Sequence, residues 1–280
     1  MCHVLSEETI RRFIDHLYFE ERKKSTILKY ERDVWGFYAF LPENGEFDKR
    51  AVLQWKEMIA KQYSVSTVNA KLAAVNGLFS LHGWHECRVK PLKQQKKIFR
   101  EKEKELTKEE YLRLLNTARE KGNERLYLLM ETLCSTGMRV SEVKYVTVGA
   151  LGVGCAVVDC KGKQRAVILP KRLCSDLEKY CMRKGIKGGP IFVTKTGKPV
   201  DRSNIWRELQ RLCESAAVAP DKVFPHNFRH LFAVSFYELE KDIAKLADLL
   251  GHASIETTRI YIMESGAEHQ RQLERLGLVI

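Results

Sequence analysis

Three short stretches hold the residues best suited to chemistry: TGMRVSEV at 136–143, HNFRH at 226–230 and LGHASIETTRIY at 250–261. The last ends on Tyr261, nine residues after His252, and a phenol is a nucleophile once its proton is removed. The other two supply Arg139 and Arg229, whose planar guanidinium forks match two oxygens of one phosphate. A phosphodiester under attack gathers negative charge on its non-bridging oxygens as phosphorus becomes five-coordinate, and fixed donors aimed at those oxygens lower the barrier. Arg139 and Arg229, with His226 and His252 as further donors and Tyr261 as the attacking group, form a set of that kind. The reference pKa of tyrosine, about 10, leaves the phenol neutral near pH 7, so a base or a concerted loss of the proton is also needed.

Other chemistries compete for the same residues. Arg139 and Glu142 could form a buried structural ion pair, since an arginine set against apolar faces is costly without an anion. His226 and His230 have the i, i+4 spacing of a helical metal site. However, the chain has no HExxH sequence, no aspartate adjoins the two histidines, and two arginines would repel a cation. No metal or other cofactor is expected. His230 stands about 100° round the helix from Arg229 and is expected to make a structural hydrogen bond rather than to touch the phosphate.

Helices must position these groups. Pro225 fixes the start of one, on which His226 and Arg229 share a face while Phe228, Leu231 and Phe232 turn to the core. A nearly all-apolar helix over 124–135 ends at Gly137, just ahead of Arg139. An amphipathic helix over 241–250 is stopped by Gly251, which leaves His252 in a loop and Tyr261 at the far end of a short helix capped by Ser254. Between them, residues 146–170 read as strands, with a hairpin turning at Lys161 and Gly162. Thr107 and Glu110 form a capping box that opens this half of the chain. From Ser6 to about Leu81 the pattern is four helices, capped by Ser6, by Ser25, near Asp48, and by Ser64 or Ser66. The expected fold is mainly α. It has a helical domain over 1–88, a basic linker with Pro91 over 89–105, and a mixed α/β domain with a small antiparallel sheet over 106–280.

In content and order these motifs resemble the tyrosine recombinases, the phage-integrase and Xer-type family. TGMRVSEV matches the family's TGxRxxEL, HNFRH its HxxRH, and LLGHASIETT its LGHxxxxTT, with the tyrosine at the usual interval. CKGKQR at 160–165 resembles GKGxKxR, one residue shorter. The resemblance runs from about Thr9 to Tyr261. It implies that Tyr261 forms a 3′-phosphotyrosine and releases a 5′-hydroxyl, while Arg139, Arg229, His226 and His252 stabilise the transition state. It also implies His226 as the base, Glu142 as the support of Arg139, and Lys161 as the acid that protonates the leaving oxygen, with Lys163 as the alternative. The first domain then resembles a core-binding (SAM-like) clamp. The partners implied are double-stranded DNA with specific core sites and three further copies of the chain, a tetramer joined through the C-terminal segment. Strand exchange through a Holliday junction would need neither metal nor ATP. The gene would belong to a bacterium, a phage or a mobile element. Two readings compete: a type IB topoisomerase, which relaxes supercoils without a paired site, and an accessory protein that binds DNA but forms no covalent complex.

Charge agrees with a polyanionic partner. The 280 residues carry +12, and each side of Arg100 carries +6, from 18 basic and 12 acidic residues before the break and 30 and 24 after it. A ligand that touches both halves fits this balance. Candidate DNA contacts are Lys23, Lys24, Thr26, Thr67, Asn69 and Lys71 at helix starts, Lys93, Lys96, Lys97 and Arg100 in the linker, and Arg202 downstream. The eight cysteines form no CxxC pair and read as reduced core residues. With no membrane-spanning run and no apolar signal-peptide core at the start, a cytoplasmic, nucleoid-associated protein is expected.

Overall fold

Ser6 accepts a hydrogen bond from the Thr9 amide and starts α1 (Glu7–Phe19). Asp48 does the same for Ala51 ahead of α3 (Lys49–Gln62), and Ser64 for Thr67 ahead of α4 (Val65–Leu81). Each cap satisfies an amide that the helix itself cannot. Between α1 and α3, α2 (Lys24–Tyr38) starts one residue before the expected Ser25 cap. Lys23 takes that position without a side-chain bond, two residues after a left-handed turn at Glu21 (φ 52°). The computed structural model describes residues 2–93, 104–160, 163–194, 196–262 and 274–276. Its contacts divide the chain into two units, Met1–Lys96 and Lys97–Ile280.

Aromatic rings fill the first unit. Phe37 meets Trp55 edge-on at 5.1 Å, and Phe47 stacks on Phe79 at 5.3 Å. Phe47 is brought there by β2 (Glu46–Phe47), which pairs antiparallel with β1 (His3–Val4) in the register His3↔Phe47. Beyond α4 the chain does not yet become a linker. Asn76 brackets Val89, giving a bond to its carbonyl at 2.9 Å and taking one from its amide at 3.0 Å, and Asn69 brackets Leu92 in the same way at 3.0 and 2.8 Å. A carboxamide presents donor and acceptor side by side, so it substitutes for a neighbouring strand. The first unit therefore continues past the expected boundary at Arg88.

The second unit opens with α5 (Lys108–Glu120) and the expected Thr107–Glu110 capping box. The apolar α6 (Glu124–Thr136) runs through its core and packs against α5, α8 (Lys171–Lys184) and α10 (Pro225–Glu240). Residues 148–153, expected as strand, are helical instead. Thr147 caps α7 (Val148–Val153) by accepting from the Ala150 amide, and Gly154 (φ 69°) closes it. The strands are shorter than expected, β3 (Cys155–Cys160) and β4 (Lys163–Ile168), and they form an antiparallel hairpin. Ala156, Val158 and Val167 face the core from it. Asp201 caps α9 (Arg202–Cys213). Lys241 (φ 54°) ends α10 rather than starting the next helix, which is α11 (Ile243–Leu250), capped by Asp242. Last comes α12 (Ile255–Ile262).

Gly137 shows how tightly these helices meet. A Cβ there would stand 2.3 Å from Phe232 Cδ1 and 3.0 Å from Leu250 Cδ2, at a φ of 61°. Gly137→Ala combines overpacking with a left-handed backbone and should cost about 2–4 kcal/mol. A urea midpoint equal to that of the wild type would show that the contact yields freely. Cys2, Cys87, Cys134, Cys155, Cys174, Cys181 and Cys213 are free, with Cys87, Cys174, Cys181 and Cys213 buried, and among the described residues no helix is long and apolar enough to cross a membrane.

Candidate active site

Arg229, the fifth residue of α10, is 2% exposed. Its Nη1 donates to the Gly137 carbonyl at 2.5 Å, and its Nη2 donates to the Leu250 carbonyl at 2.8 Å and to His252 Nε2 at 2.7 Å. The Tyr261 hydroxyl is a further hydrogen-bonding neighbour. Gly137 and Leu250 lie at the carboxyl ends of α6 and α11, where helical carbonyls lack internal partners and favour a cation. One guanidinium thus closes two helices and meets the two side chains that follow them.

A guanidinium only donates, so His252 Nε2 must be the bare, accepting nitrogen. Its proton then sits on Nδ1, which lies 2.8 Å from the Oγ1 of the fully buried Thr258 and donates to it. Burial pulls the His252 pKa down to about 4, helped by the charges of Arg229, Arg139 and Arg165. Near pH 7 the ring is neutral and receives a bond from Arg229. To donate to an oxyanion from Nε2 it must part from Arg229 and carry a proton there, either by gaining a second proton or by moving the one on Nδ1.

This depressed pKa fixes a pH effect. The unfolded chain takes up a proton at His252 near pH 6.5 and the folded chain only near 4, so between those values the unfolded state binds more protons. Stability from this residue is complete above about pH 6.5 and is lost as pH falls toward 4. His252→Gln should flatten the fall in melting temperature across that window. A variant that tracks the wild type there would contradict the assignment.

Arg139 precedes a 3-10 turn over Val140–Tyr145. The buried Glu142 accepts from the Arg139 amide at 2.8 Å and from its Nη1 at 3.0 Å, so the expected support of Arg139 by Glu142 is present as a contact. The Tyr261 ring, 5% exposed, lies parallel to His252 at 5.8 Å and tilted to His226 and His230 at 5.7 and 5.3 Å. His226, exposed at the helix start, is held below its ordinary pKa by partial desolvation and by Arg229, Arg139 and Arg202. His230 instead approaches Glu105, 3.5 Å from its carboxylate. Among the described residues the group within ligating reach of a common metal is His3, Glu86 and Cys87, in the first unit, and not the histidines around Tyr261.

Comparison with known proteins settles the kinship. The family model described as the phage integrase family matches residues 104–268, more than half of the chain. The chain belongs to the phage integrase family. Tyrosine recombinase XerA of Pyrococcus furiosus is 28% identical over 98% of this chain and 96% of its own length. The crystal structure of a XerA recombinase, at 25% identity, covers 96% of this chain and 97% of that one with a TM-score of 0.53. A λ integrase tetramer bound to a Holliday junction shares the fold, with a TM-score of 0.73 at 18% identity, over 91% of this chain and 76% of that one. Members of the family cleave and rejoin DNA strands through a tyrosine, and this chain is an enzyme of that class.

Within this integrase-family chain, the structure gathers Arg139, His226, Arg229, His252 and Tyr261 into one cluster. Lys161 lies outside the described residues, as do Lys96, Lys97, Arg100 and nearly all of the C-terminal segment; Lys163 is described as the first residue of β4. Of the candidate DNA contacts, Lys23, Lys24, Thr67, Lys93 and Arg202 are exposed and Thr26 is half-buried. Two others are engaged inside the protein. Asn69 holds Leu92, and Lys71 reaches the buried carboxylate of Asp33 at 3.3 Å.

The sequence reading passed over Arg165 and Thr258. Thr258 is the second threonine of the LLGHASIETT motif, and its place six residues after His252 was the signal available. Arg165 stands in a run of inward-facing strand residues, where a charge is out of pattern.

Proposed function

We propose that this chain is a site-specific recombinase in which Tyr261 attacks the scissile phosphodiester. The phenolic oxygen bonds to phosphorus, the 5′-oxygen leaves, and the proton lost by Tyr261 passes to His226. Arg139, Arg229 and, once its Nε2 is free of Arg229 and carries a proton, His252 hold the non-bridging oxygens. Lys161, or Lys163 beside it, protonates the leaving oxygen. The phosphotyrosine keeps the energy of the broken bond, so a second strand's 5′-hydroxyl rejoins it without a nucleotide triphosphate. The observation that carries the reading is the seating of the Tyr261 ring within 6 Å of three imidazoles, with its hydroxyl beside Arg229.

The first unit is the clamp on double-stranded DNA in this reading, with Lys23, Lys24 and Thr67 at its helix starts. Lys93 and the linker follow the phosphates, and Arg202 touches the backbone beside the catalytic cluster. Four copies assemble on two core sites through the C-terminal segment and pass through a Holliday junction. The cytoplasm is the compartment.

Covalent capture tests this. The full-length chain is mixed with a library of random duplexes and denatured, and the attached DNA is sequenced while the adduct is mapped by mass spectrometry. A shared core sequence attached to Tyr261 is the expected result. Attachment at another residue would remove Tyr261 from the role, and relaxation of supercoils with no sequence preference would favour a topoisomerase.

A further inference from the structure

A guanidinium on the buried face of a two-stranded sheet is costly unless something answers it. Arg165 is such a residue. It pairs across the hairpin with Val158, next to Val167 on the same face, and both valines are 2% exposed or less. Its Nη2 donates to Glu142 Oε2 at 2.6 Å and its Nη1 to the Leu249 carbonyl at 3.0 Å. Nε is buried without a partner. The arm crosses Gly251 so closely that a Cβ there would stand 2.4 Å from Arg165 Cδ. One side chain from β4 therefore grips both the segment that carries Arg139 and the turn that carries His252.

Glu142 is the joint. It takes the Arg139 amide and Arg165 on one oxygen and the Arg139 guanidinium on the other. Burial pushes this carboxyl up, but the Arg139 amide, the Arg165 charge and the Arg139 guanidinium together hold it below its ordinary range. Two guanidiniums share one carboxylate, so Arg139 keeps positive charge that a one-to-one pair would cancel. With Arg165 gone, the carboxylate can turn its whole fork to Arg139 and compete with a phosphate oxygen.

We propose that Arg165 is a positioning residue of the cleavage reaction, which holds Glu142 as a shared counter-ion and so keeps Arg139 aligned and open to an anion. This rests on the reading of Tyr261, Arg139 and Arg229 as a phosphodiester-cleaving site.

The test uses the full-length chain and, as probe, the duplex recovered by wild-type covalent capture, at saturating concentration and single turnover. Arg165→Lys keeps the charge, but one ammonium replaces the fork that serves Glu142 and Leu249 together. Adduct formation should slow by about 10²-fold, the scale of a small misplacement at a reacting centre, with DNA affinity unchanged and the melting temperature still above that of the assay. Glu142→Gln should also slow it, and the losses should not multiply in the double variant, since both changes act on one joint. Multiplied losses, or a wild-type rate in Arg165→Lys, overturn the proposal. So does a loss of rate that merely follows a loss of affinity and stability. If Arg165→Lys melts below the assay temperature, Arg165→Gln enters the same cycle. A wild-type chain that forms no adduct with any duplex would instead bring down the recombinase reading beneath it.

Discussion

Tyr261→Phe should bind DNA as the wild type does and form no denaturation-resistant adduct. The change removes one oxygen. The ring is 5% exposed and packed among His226, His230 and His252, and phenylalanine keeps that packing. What is lost structurally is the hydrogen bond with Arg229, about 1 kcal/mol, and Arg229 retains its bonds to Gly137, Leu250 and His252. Chemically the loss is complete, because no other atom of the side chain can bond to phosphorus. Mobility shift should report unchanged affinity, and a denaturing gel should report no covalent band under conditions where the wild type gives one. A band of undiminished intensity would transfer the nucleophile to another residue.

Local chemistry was legible in the sequence where its partners are close in the chain. Ser6, Asp48 and Thr107 bond to amides three residues on, and Gly137 and Gly251 end helices by adopting a backbone that L side chains resist. The cluster was legible for a different reason. Helix periodicity put only His226 and Arg229 on one face; that Arg139, His252 and Tyr261 would join them was implied by the resemblance of the motifs, in content and order, to the tyrosine recombinases. Residues 148–153 failed because a stretch of glycines and small or β-branched residues has the same look in a short helix and in a strand. The deciding bond, from the Ala150 amide to Thr147, is one turn long. Asn69 and Asn76 were unreadable because carboxamides so exposed in the pattern found backbone partners 23 and 13 residues away. The partners of Arg165 are as distant, Glu142 at a separation of 23 and Leu249 at 84, so although CKGKQR ends on the arginine of the GKGxKxR pattern, no local spacing showed what that strand arginine would hold.

Arg229→Ala should produce the largest combined loss of any single change in the chain, in stability and in chemistry at once. Its guanidinium supplies the donors for the Gly137 and Leu250 carbonyls at two helix ends and fixes the tautomer of His252. Truncation would leave those acceptors in a pocket that is 2% exposed with nothing to replace the donor. Each buried group left unmade costs about 1–3 kcal/mol, so unfolding by roughly 3–5 kcal/mol less urea resistance is expected, and a loss of cleavage alone would be ambiguous. Arg229→Lys separates the two effects. A lysine keeps the positive charge that depresses His252 and can reach one carbonyl, but it has no planar fork to hold a phosphate while staying bonded to the helix ends. This variant should fold, bind the captured duplex and cleave it about 10²–10³-fold more slowly, the scale for removing one oxyanion donor. Single-turnover adduct formation at saturating DNA measures it. Cleavage at the wild-type rate would mean that Arg229 is a structural strut between α6, α10 and α11 and that the transition-state charge is met elsewhere.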